Sequence, residues 1–482
     1  MRTSSRRWAA AVTALLCCLS MVGPSAAVGG GAAAGATGVA PAGQSAPDNP
    51  CVGTVEEAAE GTTVISVQGM RFGEGGGKRA AKLVGVGPTG EIEWVHQSAE
   101  AHDVVWGYDV DPMANGNVFV TATVRGHETI VYEFDPETQE TVWTERFDLA
   151  DTHDADLING GEEILLANMR NYDAESGENE DRIFVYNRTT EEIEWEWHFD
   201  DHYDRAEMSA NYTDDWSHVN DVDKVADGEY IVSPRNFDQV IVVNRSTDEI
   251  DMKLGEDGDH DTLDKQHNPD YLESENGTPT VIVADSENDR LVEYTREGER
   301  DWNRTWTLEG DFHWPRDADR LADGDTLVTD SGHSRVVEVN PEGEVVWEFH
   351  APWLVYDAAR LSQTNESGGP TAADLNATGT HEIEGGSGLH ENNTDLEPCD
   401  RRLENVTGWA AGQGPTETDG DDSTSEGALA DDSAESDGNH AGDGSGDAEG
   451  GASSETPGFG PAAALAGLLL ALGAVARRSD RR

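Results

Sequence analysis

The stretch 335-RVVEVNPEGEVVWEF-349 decides the fold. Apolar and polar residues alternate up to Val339, a polar turn carries Pro341 and Gly343, and a second run ends on Trp347 and Phe349. Period-two alternation on both sides of a Pro/Gly turn predicts a β-hairpin. The unit recurs: 87-GPTGEIEW-94, 135-DPETQETVW-143, 187-NRTTEEIEW-195, 244-NRSTDEIDM-252 and 295-TREGERDW-302 have the same turn and the same bulky end. Successive ends lie 45 to 57 residues apart. Between them runs a second pattern, Asp109-Val-Asp111, Asp154-Ala-Asp156, Asp221-Val-Asp223 and Asp317-Ala-Asp319, each leading into a turn and a strand such as 228-GEYIVS-233. Four strands per repeat at this period predict an all-β, six-bladed β-propeller. The segment 356-YDAARL-361 restarts the pattern of 317-DADRL-321, so the chain end is expected to complete the first blade, which begins near 62-TTVISVQG-69. Closure of that kind removes exposed sheet edges. The repeated tryptophans read as blade-to-blade packing and the repeated aspartates as turn caps.

Composition sets the environment. The 482 residues include 96 acidic and 32 basic ones, for a net charge of −64, and the lysines are Lys78, Lys82, Lys224, Lys253 and Lys265. Such a surface repels nucleic acid and anionic lipid. It suits concentrated salt, where charges are screened within a few ångströms, and points to a haloarchaeal or similar halophilic source. Residues 1–27 combine a basic start, an apolar run and the small-residue exit Ser25-Ala26-Ala27, and read as an export signal. Residues 28–50 form a Gly/Ala linker, 51–405 the foldable part, and 406–456 an acidic low-complexity segment that cannot bury a core and is expected to be a disordered stalk. Residues 457–482 hold an apolar run of membrane-spanning length ended by arginines. Pro457-Gly458-Phe459 before that run resembles the archaeal PGF sorting signal, whose tail is replaced by a lipid anchor. Either form of anchor puts the bulk of the chain at the cell surface. Nine Asn-X-Ser/Thr sequons, at Asn187, Asn211, Asn244, Asn276, Asn303, Asn365, Asn376, Asn392 and Asn405, agree with export and glycosylation. Cys51 and Cys399 bracket the foldable part and are expected to pair in an oxidising exterior.

Function in a propeller sits where the blades differ, at the central channel. His218 in SHVND and His267 in QHNPD lie three residues before an Asp, and His313 in FHWPRD lies four before Asp317; His153 in THDAD fits less well. Arg170 in ANMRN and Arg235 in SPRN, with Arg125 as another candidate, hold similar places after the following strand. Equivalent positions in different blades converge on the axis, so His and Arg side chains are expected to form an oxyanion site. Three imidazoles could also hold a metal, but the arginines would repel it, and the expectation is no metal and no cofactor.

Three segments together, DWSHVND followed by DGEYIVSPRN, then QHNPDYL, then DGDTLVTDSGHSRVVEVNPEGEVVWEF, resemble the aryl-sulfate sulfotransferases over roughly residues 60 to 365. The resemblance implies a six-bladed propeller that moves a sulfuryl group from an aryl sulfate donor to a phenolic acceptor, without phosphoadenylyl sulfate, through a sulfohistidine. On that footing His218 and His267 match sulfate-contacting histidines, and Arg235 a contributing arginine, with Asn220 of the His-x-Asn motif beside them; Arg170 is a further substrate contact by its repeat position. His313 is the candidate nucleophile by its repeat position. The strand after His267 departs from the family, with Ser286 where an Asn is expected and Arg290 as a substitute arginine. The alternative is a non-catalytic surface propeller that binds an anionic or glycan ligand.

Overall fold

The computed structural model describes residues 49–414, apart from 72–76, 127, 299–300, 365–367 and 392–394. The chain divides at residues 416/417, and the description concerns the first unit alone. The export signal, nearly all of the linker, the acidic segment beyond 414, the sorting signal and the sequons Asn365 and Asn392 lie outside the described residues. Among the described residues no helix is long and apolar enough to cross a membrane.

Six antiparallel sheets follow one another around an axis. Blade one takes its inner strand, Val355–Arg360, from the far end of the chain; this strand pairs with Thr63–Val67, followed outward by Lys82–Val86 and Ile92–His96. The inner strands of blades two to six are Val104–Pro112, Ala155–Ile158, Val219–Ala226, His267–Glu273 and Pro315–Arg320. The pairing Thr63↔Arg360 is the predicted ring closure.

Alternation drives the packing. Each strand presents one apolar row to each neighbour, and six buried clusters result, each bridging two successive blades. Trp94 of blade one packs on Phe134 of blade two (ring centroids 5.4 Å apart), and Trp347 of blade six joins the cluster it shares with blade one. Gly85 makes room for the first of these: a Cβ there would stand 2.1 Å from Trp94 Cε2. Trp302 differs in direction. It packs back toward blade four, donating its indole N–H to Lys253 O at 2.8 Å, and Trp306 fills the junction with blade six. Each outer hairpin carries a register shift close to the repeated bulky residue, as between Thr141 and Trp143. A bulge of this kind increases local twist.

Three additions exceed the four-strand pattern. Val52–Val55 extends blade six, Gly379–Glu382 joins blade five in parallel, and Gly408–Trp409, beyond the sequence boundary at 405, extends blade one. Cys51 and Cys399 form the expected disulfide, buried and spanning 348 residues. It ties the strand ahead of blade one to the helix Glu397–Glu404. Loop entropy assigns such a bond about 6 kcal/mol.

The repeated aspartates do not cap turns, as their sequence context suggests; they lie on or at the start of the inner strands. Asp357 Oδ2 accepts the Val110 N–H at 2.8 Å, Asp154 Oδ2 that of Val222 at 2.5 Å, and Asp156 Oδ2 that of Lys224 at 2.9 Å. These bonds stitch neighbouring blades along the channel.

Candidate active site at the channel mouth

The inner strands begin on one face and turn back on the other, so residues at their starts share a mouth. The chain enters several of them through a left-handed residue: Asp103, His218, Trp314 and Leu354 have φ of 61°, 43°, 55° and 68°. Register shifts follow at once, between Val219 and Val222, His267 and Asp270, and Pro315 and Asp317. Left-handed backbone at bulky residues is strained and persists where the surroundings impose it, and bulges re-aim side chains. Here the two devices turn side chains into the channel.

One buried residue per blade meets there: Tyr356, Tyr108, His153, His218, His267 and Arg316, in order around the ring from blade one to blade six. Tyr108 packs on His153 with ring centroids 4.2 Å apart and the planes tilted by 32°, and His153 meets His218 edge-on at 5.2 Å. Tyr356 lies edge-on to Tyr108, His153 and His267 at 5.0, 5.5 and 6.4 Å. Arg316 is wedged between the rings of Trp314 (3.9 Å) and Tyr356 (4.9 Å) and donates to Gln68 Oε1 at 3.1 Å.

The hydrogen bonds set the state of each imidazole. Ser286 Oγ lies 2.6 Å from Pro315 O and 2.8 Å from His267 Nδ1. The hydroxyl has one proton, which the short contact assigns to Pro315 O, so Ser286 accepts from His267 Nδ1–H. His267 Nε2 then carries a lone pair. Burial, with Arg316 and Arg235 nearby, holds this imidazole well below the ordinary histidine range, and it is neutral. His218 Nδ1 pairs with Asp215 Oδ2 at 2.6 Å. Burial lowers His218, and Asp215 opposes the shift. Burial alone would raise the Asp215 carboxyl, but His218 and Arg170 bring it well below its usual range.

Two guanidiniums supply positive charge. Arg235 donates to Asn236 Oδ1 at 2.7 Å and lies 3.9 Å from Glu287. Its Nε and that of Arg316 are buried with no hydrogen-bond partner among the described residues. Burial lowers both arginines, Arg316 to about 10. An anion in the mouth could accept from both, and the fork geometry of arginine matches a tetrahedral oxyanion.

The sequence candidates therefore separate. His218, His267 and Arg235 come together with residues of the mouth. Asn220 is buried beside them, donating to Gln266 O at 3.0 Å. Arg170 is engaged by Asp151 (2.5 Å) and Asp215 (3.2 Å) and steadies the Asp215–His218 pair. Arg290 is held elsewhere, by Asp285 at 2.7 Å and the carbonyls of Asp261 and Thr262. Arg125 is exposed. His313 stands apart, its side chain 63% exposed, 3.8 Å from Asp289, with its ring 5.6 Å from His333. The left-handed turn at Trp314 gives the channel to Trp314 and Arg316 and leaves His313 on the rim. Tyr108, Arg316 and Tyr356 are not among the sequence candidates, and His153 is there only as a weaker fit, although each directly precedes a repeated Asp.

Residues 77–314 match the model of the family Arylsulfotransferase (ASST). The match contains His153, His218, Arg235 and His267 and stops before Arg316 and Tyr356. No curated protein matches the chain. Among solved structures, similarity extends to a protein of unknown function from Bacteroides caccae (13% identity, 62% of this chain and 98% of that one, TM-score 0.41). It extends also to a chain of a nidogen/laminin complex (12%, 62% and 97%, 0.42) and to virginiamycin B lyase from Staphylococcus aureus (11%, 51% and 70%, 0.33). At these scores none of the three bears on function.

Proposed function

We propose, from the arylsulfotransferase match over residues 77–314, that the channel mouth transfers a sulfuryl group from an aryl sulfate to a phenolic acceptor through a sulfohistidine. The observation that carries the reading is the tautomer that Ser286 sets on His267, which leaves Nε2 of this buried ring unprotonated among the residues of the mouth. A neutral imidazole is a competent nucleophile. In the first half-reaction Nε2 attacks sulfur, an N–S bond forms, and the sulfur–oxygen bond to the aryl group breaks. The phenolate leaves as the anion, because His218 is neutral, its one N–H held by Asp215, and has no proton on Nε2 to give. Arg235 and Arg316 hold the sulfuryl oxygens, where their N–H groups meet the charge of the transition state. In the second half-reaction His218 takes the acceptor's phenolic proton, and the acceptor oxygen displaces Nε2. His267 thus replaces His313 as the proposed nucleophile.

The same proposal places the enzyme outside the cell. The buried Cys51–Cys399 disulfide supports an oxidising compartment, and the charge of −64 supports concentrated salt.

The test is release of nitrophenolate from 4-nitrophenyl sulfate in molar salt, with and without a phenol. Acceptor-dependent release, abolished in His267→Ala, supports the reading. A folded protein that binds aryl sulfate without release would leave the anion-binding propeller.

A further inference from the structure

Beyond the histidines the channel is lined by carboxylates. Asp154, at the start of blade three, and Asp221 and Asp223 of blade four each bring one oxygen to a common point, all within 4.8 Å of one another. Asp154 and Asp221 are 4% and 5% exposed. Asp154 uses Oδ2 on the Val222 N–H, but Asp221 Oδ2 has no hydrogen-bond partner among the described residues. A buried carboxylate oxygen left in this way calls for a proton or a cation to meet it. Lys224, next in the strand, turns its Nζ away to Asn159 Oδ1 (2.9 Å) and Asp227 Oδ1 (3.0 Å). On the face opposite the histidines a cavity of about 800 Å³, lined in part by Asp111, Asp156, Asp223 and Asp270, gives a route for an ion and its water ligands.

We propose that Asp154, Asp221 and Asp223 form a calcium site that clamps blade three to blade four in the channel. The donors are all oxygen, which selects a hard cation, and three protein carboxylates in one place suit calcium better than magnesium, which keeps most of its water ligands. The site lies on different side chains from the sulfuryl-transfer residues and is independent of that reading.

The test uses the whole protein, stripped with chelator and held in molar KCl, which screens the surface carboxylates. Calcium chloride is titrated calorimetrically into the native protein, Asp221→Asn and Asp223→Asn. The expected result is one saturable site per chain, weakened at least about tenfold in each variant, with a calcium-dependent rise in Tm in the native protein alone. No saturable binding, variants that bind like the native protein, or a preference for magnesium would overturn the proposal. If the variants fail to fold, anomalous diffraction from calcium-soaked native crystals decides it: a peak among the three carboxylates supports the site and its absence refutes it.

Discussion

His267 donates its Nδ1–H to Ser286 Oγ across 2.8 Å, and Ser286 donates its own O–H to Pro315 O at 2.6 Å. The residue that stands where the resemblance leads one to expect an Asn is thus the one that fixes the tautomer of the proposed nucleophile. Ser286→Ala removes that acceptor and lets the ring choose either tautomer. We expect kcat to fall about tenfold to a hundredfold with KM little changed, measured by steady-state release of nitrophenolate. An unchanged kcat would mean that the bond has no catalytic role.

The pH profile follows from the same environment. Burial holds His267 well below 6.5, so the nucleophile stays neutral as pH falls to that value and is lost only at lower pH. Arg316, lowered by burial to about 10, loses its charge as pH rises through that value. The account expects kcat/KM to be level from about pH 6.5 and to fall as the solution approaches pH 10. A rate that rises from pH 7 to 9 would point to a different nucleophile.

The arginines are expected to act through geometry as well as charge. Arg316→Lys keeps a cation but loses the fork and the packing between Trp314 and Tyr356. KM for the aryl sulfate is expected to rise at least about tenfold. Arg290→Lys, at a residue already occupied by Asp285, is expected to leave KM within about twofold.

The disulfide makes a separate prediction about stability. Cys399→Ser opens a loop of 348 residues and is expected to remove about 6 kcal/mol on the loop-entropy model. Guanidinium unfolding of the native and variant proteins in molar salt gives the comparison, and equal midpoints would contradict it.

The propeller was legible because its cause is periodic. Turn, bulky residue and Asp return at one spacing, and 356-YDAARL-361 repeats an inner strand without its blade. His218 and His267 were legible as interruptions of that repeat. His313 was misread because spacing cannot tell which residue of His313-Trp314-Pro315-Arg316 enters the channel; the left-handed φ of 55° at Trp314 decides it. Tyr108, His153, Arg316 and Tyr356 occupy a place the sequence did mark, immediately before a repeated Asp. Three of them are not histidines, and His153 sits at a different offset from its Asp than His218 and His267. Ser286 stood out in the sequence only as a departure from an expected Asn; its role was not legible, since it depends on Pro315 O from the next blade.

The most direct measurement is to quench the full-length enzyme during turnover of 4-nitrophenyl sulfate without acceptor, digest it under alkaline conditions, and map the added sulfuryl group by mass spectrometry. The account predicts modification on His267, absent from His267→Ala and discharged by a phenol. Modification of His313 or His218 instead, or an active enzyme that never carries the group on a histidine, would contradict it.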